Sequence, residues 1–141
     1  VARAWAPHAH RAAARGITLA FHDAEGISLA ADPVLLPILL GNLLGNAIDH
    51  GLPGAIAIAC RRDADAVELR IANPAAPGAP GDRSDLFVPV WERLAAPGPL
   101  HAGLGLTLVR RIADAHGATV AAALADGQFT VTVRLPGRAA E

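Results

Sequence analysis

The sequence predicts an α+β fold, with a mixed sheet packed against about three helices in two layers. Short segments with period-two alternation of apolar residues come in pairs, and a single segment of helical length separates each pair from the next. Hairpins separated by single helices are typical of a mostly antiparallel or mixed sheet with its helices on one face. The chain has 141 residues, of which 52% are hydrophobic, enough for one domain with its own core over residues 1–141.

The strands are predicted from alternating apolar residues bounded by turn residues. They fall at residues 17–21, 27–30, 55–60, 66–71, 119–124 and 129–135.

The helices are predicted from apolar residues at helical spacing. Residues 1–15 are alanine-rich and form a lead-in, either helical or irregular. A leucine-rich helix is expected over residues 32–50, with Asp32 as N-cap, Pro33 at the first helical position and Gly51 at its end. A third helix is expected over residues 104–116, with one apolar face.

The segment between the second and third helices is predicted to act as a lid. Prolines and glycines recur through residues 73–102 and leave little room for long regular structure. Loops of this length in a compact domain are usually functional lids or disordered. Within it, residues 85–94 are cohesive enough to dock, and Phe87 and Trp91 are interpreted as core anchors of the lid.

Two asparagines in the leucine-rich helix are the first candidate for a binding site. Asn42 and Asn46 are four residues apart and so share a face, and His50 extends the polar stripe by one more step. A buried amide without a partner costs about 1–3 kcal/mol, which favours a polar ligand or a hydrated metal ion on that face. The alternative is that both amides are partly exposed or bonded to neighbouring backbone.

Two glycines at the predicted start of the third helix are the second candidate. The free N–H groups and the positive dipole end of a helix N-terminus bind phosphate, and glycine allows close approach of the backbone. Gly103 and Gly105 precede an amphipathic segment and therefore indicate a phosphate site.

Composition excludes several other classes of protein. The net charge is −1 and no basic tract is present, so a nucleic-acid partner is not expected. The longest apolar run, residues 34–40, is too short to span a membrane, so no membrane contact by this domain is expected. The single Cys60 allows no internal disulfide.

Three segments in this order resemble the ATP-binding domain of sensor histidine kinases, in the superfamily of gyrase, Hsp90 and MutL. Residues 43–50, L-L-G-N-A-I-D-H, are similar to the N box, and residues 86–93, L-F-V-P-V-W-E-R, are similar to the F box. Residues 103–117, beginning G-L-G-L-T-L-V, resemble the G2 box and its helix. The resemblance covers about residues 16–136 and implies the two-layer Bergerat ATP-binding fold.

The resemblance also implies roles for individual residues, with ATP and Mg²⁺ as cofactors. Asn46 corresponds to the asparagine that coordinates Mg²⁺, and Asn42 to a supporting ligand or a hydrogen-bond partner of the phosphates. His50 is expected to contact phosphate or position water. The remaining nucleotide-binding residues implied are Asn73, Gly103, Leu104, Gly105 and Leu106. The resemblance assigns no catalytic nucleophile to this domain.

The sequence departs from the family pattern at the adenine end of the site. The usual D-x-G-x-G after a strand is N-P-A-A-P-G at residues 73–78. Asn73 accepts a hydrogen bond through its amide oxygen but without charge, so weaker nucleotide binding is expected. Asp49 occupies a position where the family often has a basic residue, which implies a missing phosphate contact.

The function implied is that of the catalytic domain of a two-component sensor histidine kinase, a protein-histidine kinase. Its partners would be the dimerisation domain that carries the phosphoacceptor histidine and a downstream response regulator. The domain would be cytoplasmic, and an inner-membrane sensor is one form that its parent protein can take. No H-E phosphoacceptor motif is present, so the isolated domain is expected not to autophosphorylate.

Two alternatives remain open at this point. One is a degenerate domain of the same fold that no longer uses ATP and serves regulation or interaction, motivated by Asn73 and the missing glycines. The other is an anti-sigma serine kinase, which the F-box-like segment argues against.

Overall fold

The computed structural model describes residues 2–22, 34–63, 65–76, 80–87 and 100–136. In this part of the chain, one mixed sheet of six strands packs against helices, and the predicted α+β sandwich is confirmed. The strands are β1 (Ile17–His22), β2 (Gly54–Asp63), β3 (Ala66–Pro74), β4 (Gly81–Asp82), β5 (Thr119–Ala125) and β6 (Gln128–Pro136).

The strand order is β1-β2-β3-β6-β5-β4. Strands β1 and β2 pair in parallel, and every other described pairing is antiparallel. The predicted strand over residues 27–30 lies outside the described residues. The β5–β6 turn has positive φ at Asp126 (52°) and Gly127 (72°), which matches the right-handed twist of a two-residue hairpin.

The lead-in residues are helical. The chain forms α1 (Ala2–Trp5), a 3-10 turn (Ala6–His8) and α2 (Ala9–Ala14) before it enters β1. Ala12 is fully buried and Trp5 is half-buried against the core. The lead-in therefore belongs to the packed domain.

The leucine-rich helix is α3 (Leu35–His50), and its predicted end before Gly51 is confirmed. Its predicted start was wrong, because the N-cap is Val34 and the first helical residue is Leu35, in place of Asp32 and Pro33. Pro37, which lacks an N–H, then falls in the first turn, where no intrahelical hydrogen bond is needed.

The next helix, α4 (Leu100–Ala115), begins four residues before the predicted start at Leu104. That prediction was wrong because Leu100, His101 and Ala102 contain no helix breaker, and an interior glycine costs a helix only about 1 kcal/mol.

The core lies between the sheet and α3 and α4. Ile58, Ile71, Val131 and Ala122 are successive register partners across four strands, and all are buried. Buried residues of α3 and α4 cover them, including Leu43, Leu44, Val109 and Ile112.

In its described residues, 73–76, 80–87 and 100–102, the predicted lid region contains little regular structure besides the end of β3 and the first residues of α4. Its described part holds the short β4 and a 3-10 turn (Ser84–Phe87). Phe87 is 1% exposed and belongs to the core, which agrees with its interpretation as an anchor. Trp91 lies outside the described residues. Among the described helices, none has the length and apolar character needed to cross a membrane.

Candidate functional site

The polar residues of α3 lie together along one side of the helix. Leu39, Leu43 and Ala47 are buried, whereas Asn42 and Asn46 are half-buried and His50 is exposed. Successive residues are rotated by about 100° in an α-helix, so Asn42 and Asn46 lie only about 40° apart around its axis. The sheet therefore takes one side of α3 and leaves the two amides at the edge of the buried face.

The two asparagines differ in what they contact. Asn42 Nδ2 donates a hydrogen bond to the carbonyl oxygen of Ile38 at 2.8 Å, one turn earlier in the helix. For Asn42, the alternative hypothesis of an amide bonded to neighbouring backbone therefore holds. This bond fixes the amide so that its oxygen points away from Ile38.

Asn46 has no hydrogen-bond partner for its side chain among the described residues. Its amide atoms are not sealed from solvent, since neither is among the buried side-chain atoms without a hydrogen bond in the described part of the chain. Asn46 thus keeps both an oxygen acceptor and an amide donor available on a half-buried face.

The lead-in packs along one flank of this stripe. His8 lies against Gly45, where a methyl group would come 3.4 Å from the His8 ring carbon Cε1. Arg11 Nη2 lies 3.2 Å from His8 Nδ1, and Arg11 Nη1 lies 3.3 Å from Asp49 Oδ1. Asp49, which occupies a usually basic position of the family, is therefore paired with a cation from the lead-in.

The pKa of His8 is lowered in this setting. Partial burial is the largest cause and the neighbouring Arg11 guanidinium adds to it, while Asp49 and the backbone at Gly41 act in the opposite direction. A neutral His8 accepts at Nδ1 from the arginine, which agrees with the contact to Arg11.

The C-terminal end of α3 meets the end of β3, and this contact places Asn73 beside the stripe. Asn73 is 4% exposed and has the register parity of Ile71, so it is on the helix-facing side of the sheet. A methyl group at Gly51 would lie 3.1 Å from Asn73 Nδ2 and would overlap the carbonyl oxygen of Ala47. Gly51 therefore makes room for the asparagine.

The backbone around Asn73 is also fixed. The carbonyl oxygen of Pro74 accepts from the N–H of Leu52 at 2.9 Å and from Asn73 Nδ2 at 3.0 Å. Gly54 has φ +141°, and a methyl group there would lie 3.0 Å from Pro74 Cγ. The segment after α3 is thus packed directly on the Asn73–Pro74 pair.

The predicted phosphate-binding glycines lie inside α4. Because α4 begins at Leu100, its first four free N–H groups are those of residues 100–103. Gly103 is the last of these four, and Leu104, Gly105 and Leu106 follow within the next turn. The side chain of Leu106 is 3% exposed and packs in the core, which leaves its backbone as the part that can reach a ligand.

The sequence indicated binding roles for Asn42, Asn46 and Asn73. For Gly51, Gly54 and Pro74 it indicated only turns. Their packing depends on β3 reaching the end of α3, a contact distant in sequence. The pairing of Arg11 with Asp49 is equally long-range. Among the described residues, no cluster of three or more His, Cys, Asp or Glu side chains is arranged to hold a metal ion.

The residues present fit a nucleotide with a hydrated magnesium ion. Mg²⁺ prefers oxygen ligands and commonly takes only one or two from protein, with phosphates and water supplying the rest. Asn46, half-buried and unpartnered within the described part of the chain, can supply one such oxygen. The buried Asn73, at the end of β3, can supply an acceptor beside the C-terminal end of α3.

The chain belongs to the histidine kinase-, DNA gyrase B- and HSP90-like ATPase family, whose profile matches residues 31–139. That range includes the stripe on α3, Asn73 and the whole of α4. No curated protein sequence matches the chain.

Solved structures of histidine kinases share the fold. The catalytic domain of the histidine kinase ThkA superposes with a TM-score of 0.80 at 21% identity, over 96% of this chain and 89% of that one. Histidine kinase AdeS of Acinetobacter baumannii gives 0.77 at 19% identity, over 98% of this chain and 63% of its own. Full-length ShkA, solved in complex with AMPPNP, gives 0.75 at 23% identity, over 99% of this chain and 30% of its own.

The chain thus spans about nine tenths of an isolated catalytic domain and less than two thirds of the AdeS and ShkA chains. At these identities the likeness concerns the fold. The class of the protein, an ATPase-family domain with the architecture of a histidine kinase catalytic domain, comes from the family match and the fold together.

Proposed function

We propose that this chain is the ATP-binding catalytic domain of a two-component sensor histidine kinase. It would hold Mg-ATP along α3 and present the γ-phosphate to a histidine on a separate dimerisation domain. The observation that carries the proposal is a pair of available amide oxygens, that of Asn46 on α3 and that of Asn73 beside its C-terminal end, in a chain that belongs to the ATPase family.

The polar residues along α3 would each bind a different part of the ligand. Asn46 would offer its amide oxygen to the metal, and Asn42, whose amide is oriented by Ile38, would offer its oxygen to the hydrated ion. His50, exposed at the end of the stripe, would contact phosphate or order water. Mg²⁺ held by these residues would supply positive charge to neutralise the charge that develops during phosphoryl transfer.

No strong nucleophile is required in the domain, because phosphoryl transfer depends mainly on positioning and charge neutralisation. The nucleophile would be the histidine of the dimerisation domain, and a response regulator would take the phosphoryl group afterwards. Residues 100–103 at the start of α4 offer backbone N–H groups to phosphate, and the dipole of a 16-residue helix favours an anion there.

A phosphotransfer assay tests this proposal. The chain is mixed with the dimerisation domain of its parent kinase, Mg²⁺ and ATP labelled at the γ-phosphate, and the wild type is compared with Asn46→Ala. Acid-labile, base-stable label is expected on the dimerisation domain with the wild type and at least about tenfold less with the variant. Label on the 141-residue chain alone, or equal transfer by the variant, would contradict the proposal.

A degenerate regulatory domain is the second candidate, and the bounds of α4 are the observation that favours it. Gly103 and Gly105 lie within the helix, so the free donors at its start belong mostly to residues without the freedom of glycine. A domain that had lost nucleotide binding would show no heat on titration with millimolar Mg-ADP, whereas the proposed kinase domain would.

A further inference from the structure

The face of the sheet that points away from α3 and α4 carries a cluster of charged side chains. Glu68 of β3 lies between its register partners, Arg61 of β2 and Arg134 of β6, and Arg70 is two residues further along β3. We propose that these three arginines, the arginine cluster, are a docking site for an acidic segment of a protein partner. The cluster lies on the opposite side of the sheet from α3, so the proposal does not depend on the proposed function.

Register and burial place the arginine cluster on the uncovered face of the sheet. Leu69 and Ile71 alternate with Glu68 and Arg70 along β3, and both belong to the core beneath the helices. Successive side chains of a strand point to opposite faces, so Glu68 and Arg70 point away from that core. Small, half-buried side chains surround them on the neighbouring strands and along β3: Ala57, Ala59, Ala72, Thr130 and Thr132.

The cluster holds more positive charge than Glu68 neutralises. Arg70 Nε lies 3.0 Å and Arg61 Nη2 lies 3.4 Å from Glu68 Oε1, and Arg134 Nη1 lies 3.6 Å from Glu68 Oε2. Three guanidinium groups around one carboxylate leave two positive charges in excess, in a chain whose net charge is −1. Like charges on neighbouring strands destabilise a sheet, so further carboxylates would stabilise this face.

Two of the arginines also keep hydrogen-bond donors for a ligand. The Glu68 side chain is 9% exposed, and its Oε1 is sealed from solvent and accepts no aligned hydrogen bond, although Arg61 and Arg70 lie within ion-pair distance. Both guanidinium groups are exposed and make no other polar contact among the described residues. A guanidinium has five N–H donors in a fork that matches a carboxylate, so each can bind a second carboxylate beside Glu68.

The position of Glu68 favours a segment with several carboxylates over one compact anion. Glu68 occupies the centre of the arginine cluster, so a single phosphate placed there would lie against a group of the same charge. Carboxylates that approach the outer sides of Arg61 and Arg70 avoid that repulsion. The small side chains of Ala59 and Thr132, the register partners of Arg70, leave room for a polypeptide on either side of it.

Titration of the isotope-labelled chain with a synthetic peptide of alternating glutamate and alanine tests the proposal by NMR. Changes in amide chemical shift are expected to concentrate on the uncovered face, at residues such as Ala59, Ala72 and Thr132. The matching peptide of glutamine and alanine is expected to cause none. Because exposed charges are screened by salt, binding should weaken as the salt concentration rises from about 50 mM to about 500 mM.

Arg61→Gln and Arg62→Gln are a matched pair of variants. Both arginines are exposed on β2, but Arg62 is the register partner of the buried Val67 and so points to the other face. The dissociation constant of the glutamate peptide is expected to rise about threefold in Arg61→Gln and in Arg70→Gln, and to stay unchanged in Arg62→Gln. Thermal melts confirm that each variant is folded, and Arg61→Gln alone decides the matter if Arg70→Gln unfolds.

Four results would overturn the proposal. One is the absence of shift changes on this face at millimolar glutamate peptide, and another is equal weakening by Arg61→Gln and Arg62→Gln, which would indicate attraction by overall charge. The third is equally tight binding of inorganic phosphate or of a single-stranded oligonucleotide, which would indicate a general anion site. The fourth is a dimer of the chain without peptide that Arg70→Gln dissociates, which would show that a second copy covers the face.

Discussion

Asn46 combines two properties that a purely structural residue would not need together. It is half-buried at the edge of the core, and its amide has no hydrogen-bond partner in the described part of the chain. Asn42 shares its helical face but uses its NH₂ group on the Ile38 carbonyl. Of these two asparagines, Asn46 is therefore the more available to a ligand.

Replacing Asn46 by alanine should weaken nucleotide binding and leave the fold intact. We expect the dissociation constant for Mg-ADP to rise at least about tenfold, equivalent to about 1.4 kcal/mol, because one oxygen ligand is lost. The unfolding midpoint should change little, since no hydrogen bond within the described residues is broken. Titration calorimetry and a thermal melt measure the two quantities.

Ile38→Ala provides the matched control for that substitution. Ile38 is on the same helix and 40% exposed, and its truncation leaves the backbone carbonyl that orients Asn42 unchanged. Its Mg-ADP affinity should equal that of the wild type. Equal affinity of Asn46→Ala and the wild type would remove Asn46 from the binding site.

At the scale of elements, the glycines of α3 and its end have opposite roles. A methyl group at Gly41 meets no atom within 4 Å, whereas one at Gly51 overlaps the Ala47 carbonyl oxygen. Gly41 is helical with open space at its Cβ position, while Gly51 lets the chain turn between α3 and Asn73.

Alanine at these two glycines should therefore shift stability in opposite directions. Gly41→Ala is expected to stabilise the domain by about 0.5–1 kcal/mol, since alanine loses less conformational entropy in a helix. Gly51→Ala is expected to destabilise it by about 1–3 kcal/mol through overpacking. Chemical denaturation of both variants checks the pair, and a loss of stability in Gly41→Ala would contradict the open space at that position.

The contact between the lead-in and α3 should be sensitive to pH. The pKa of His8 is lowered, chiefly by burial and then by Arg11, so the unfolded chain binds a proton more readily than the folded one. The contribution of His8 to stability is thus fully present above its unfolded pKa, about 6.5, and is lost as the pH falls through the lower folded pKa.

Thermal melts between pH 7.5 and 5.5 measure that loss. The wild type should lose more stability on acidification than His8→Gln, whereas the exposed His10→Gln should follow the wild type. Identical pH dependence of the wild type and His8→Gln would show that the lead-in contact does not carry the effect.

Sequence patterns predicted most of these elements because each depends on local information. The alternation over residues 119–135 predicts strands, and the leucine-rich periodicity of α3 predicts a helix. Neither prediction depends on how distant segments pack. The start of α4 was missed because Gly103 and Gly105 read as a helix N-terminus, while the helical propensity of Leu100 to Ala102 extends the helix past them.

At the scale of the whole molecule, the site depends on contacts between distant segments. The stripe on α3 was predictable from spacing alone, but its meeting with Asn73 requires β3 to end against the turn after α3. The pairing of Arg11 with Asp49 likewise requires the lead-in to lie along α3. Periodicity contains no information on such contacts, so the roles of Gly51, Gly54 and Pro74 could emerge only from the fold.

The fold and the family match assign the molecule to a class of ATPase-family domains. The role of the candidate site in nucleotide binding can be tested directly. The sheet supports α3 from one side. Asn46 lies at the edge of that helix about one turn before its C-terminal end, and Asn73 of β3 lies beside that end. A single nucleotide lying along α3 would engage both amides at once.

Calorimetric titration of the 141-residue chain with ADP, in the presence and absence of Mg²⁺, tests this central claim most directly. We predict saturable binding with a stoichiometry of about one that weakens when Mg²⁺ is removed and weakens again in Asn46→Ala. Absence of binding at millimolar ADP with Mg²⁺ present, in a chain whose thermal melt is cooperative, would contradict the claim.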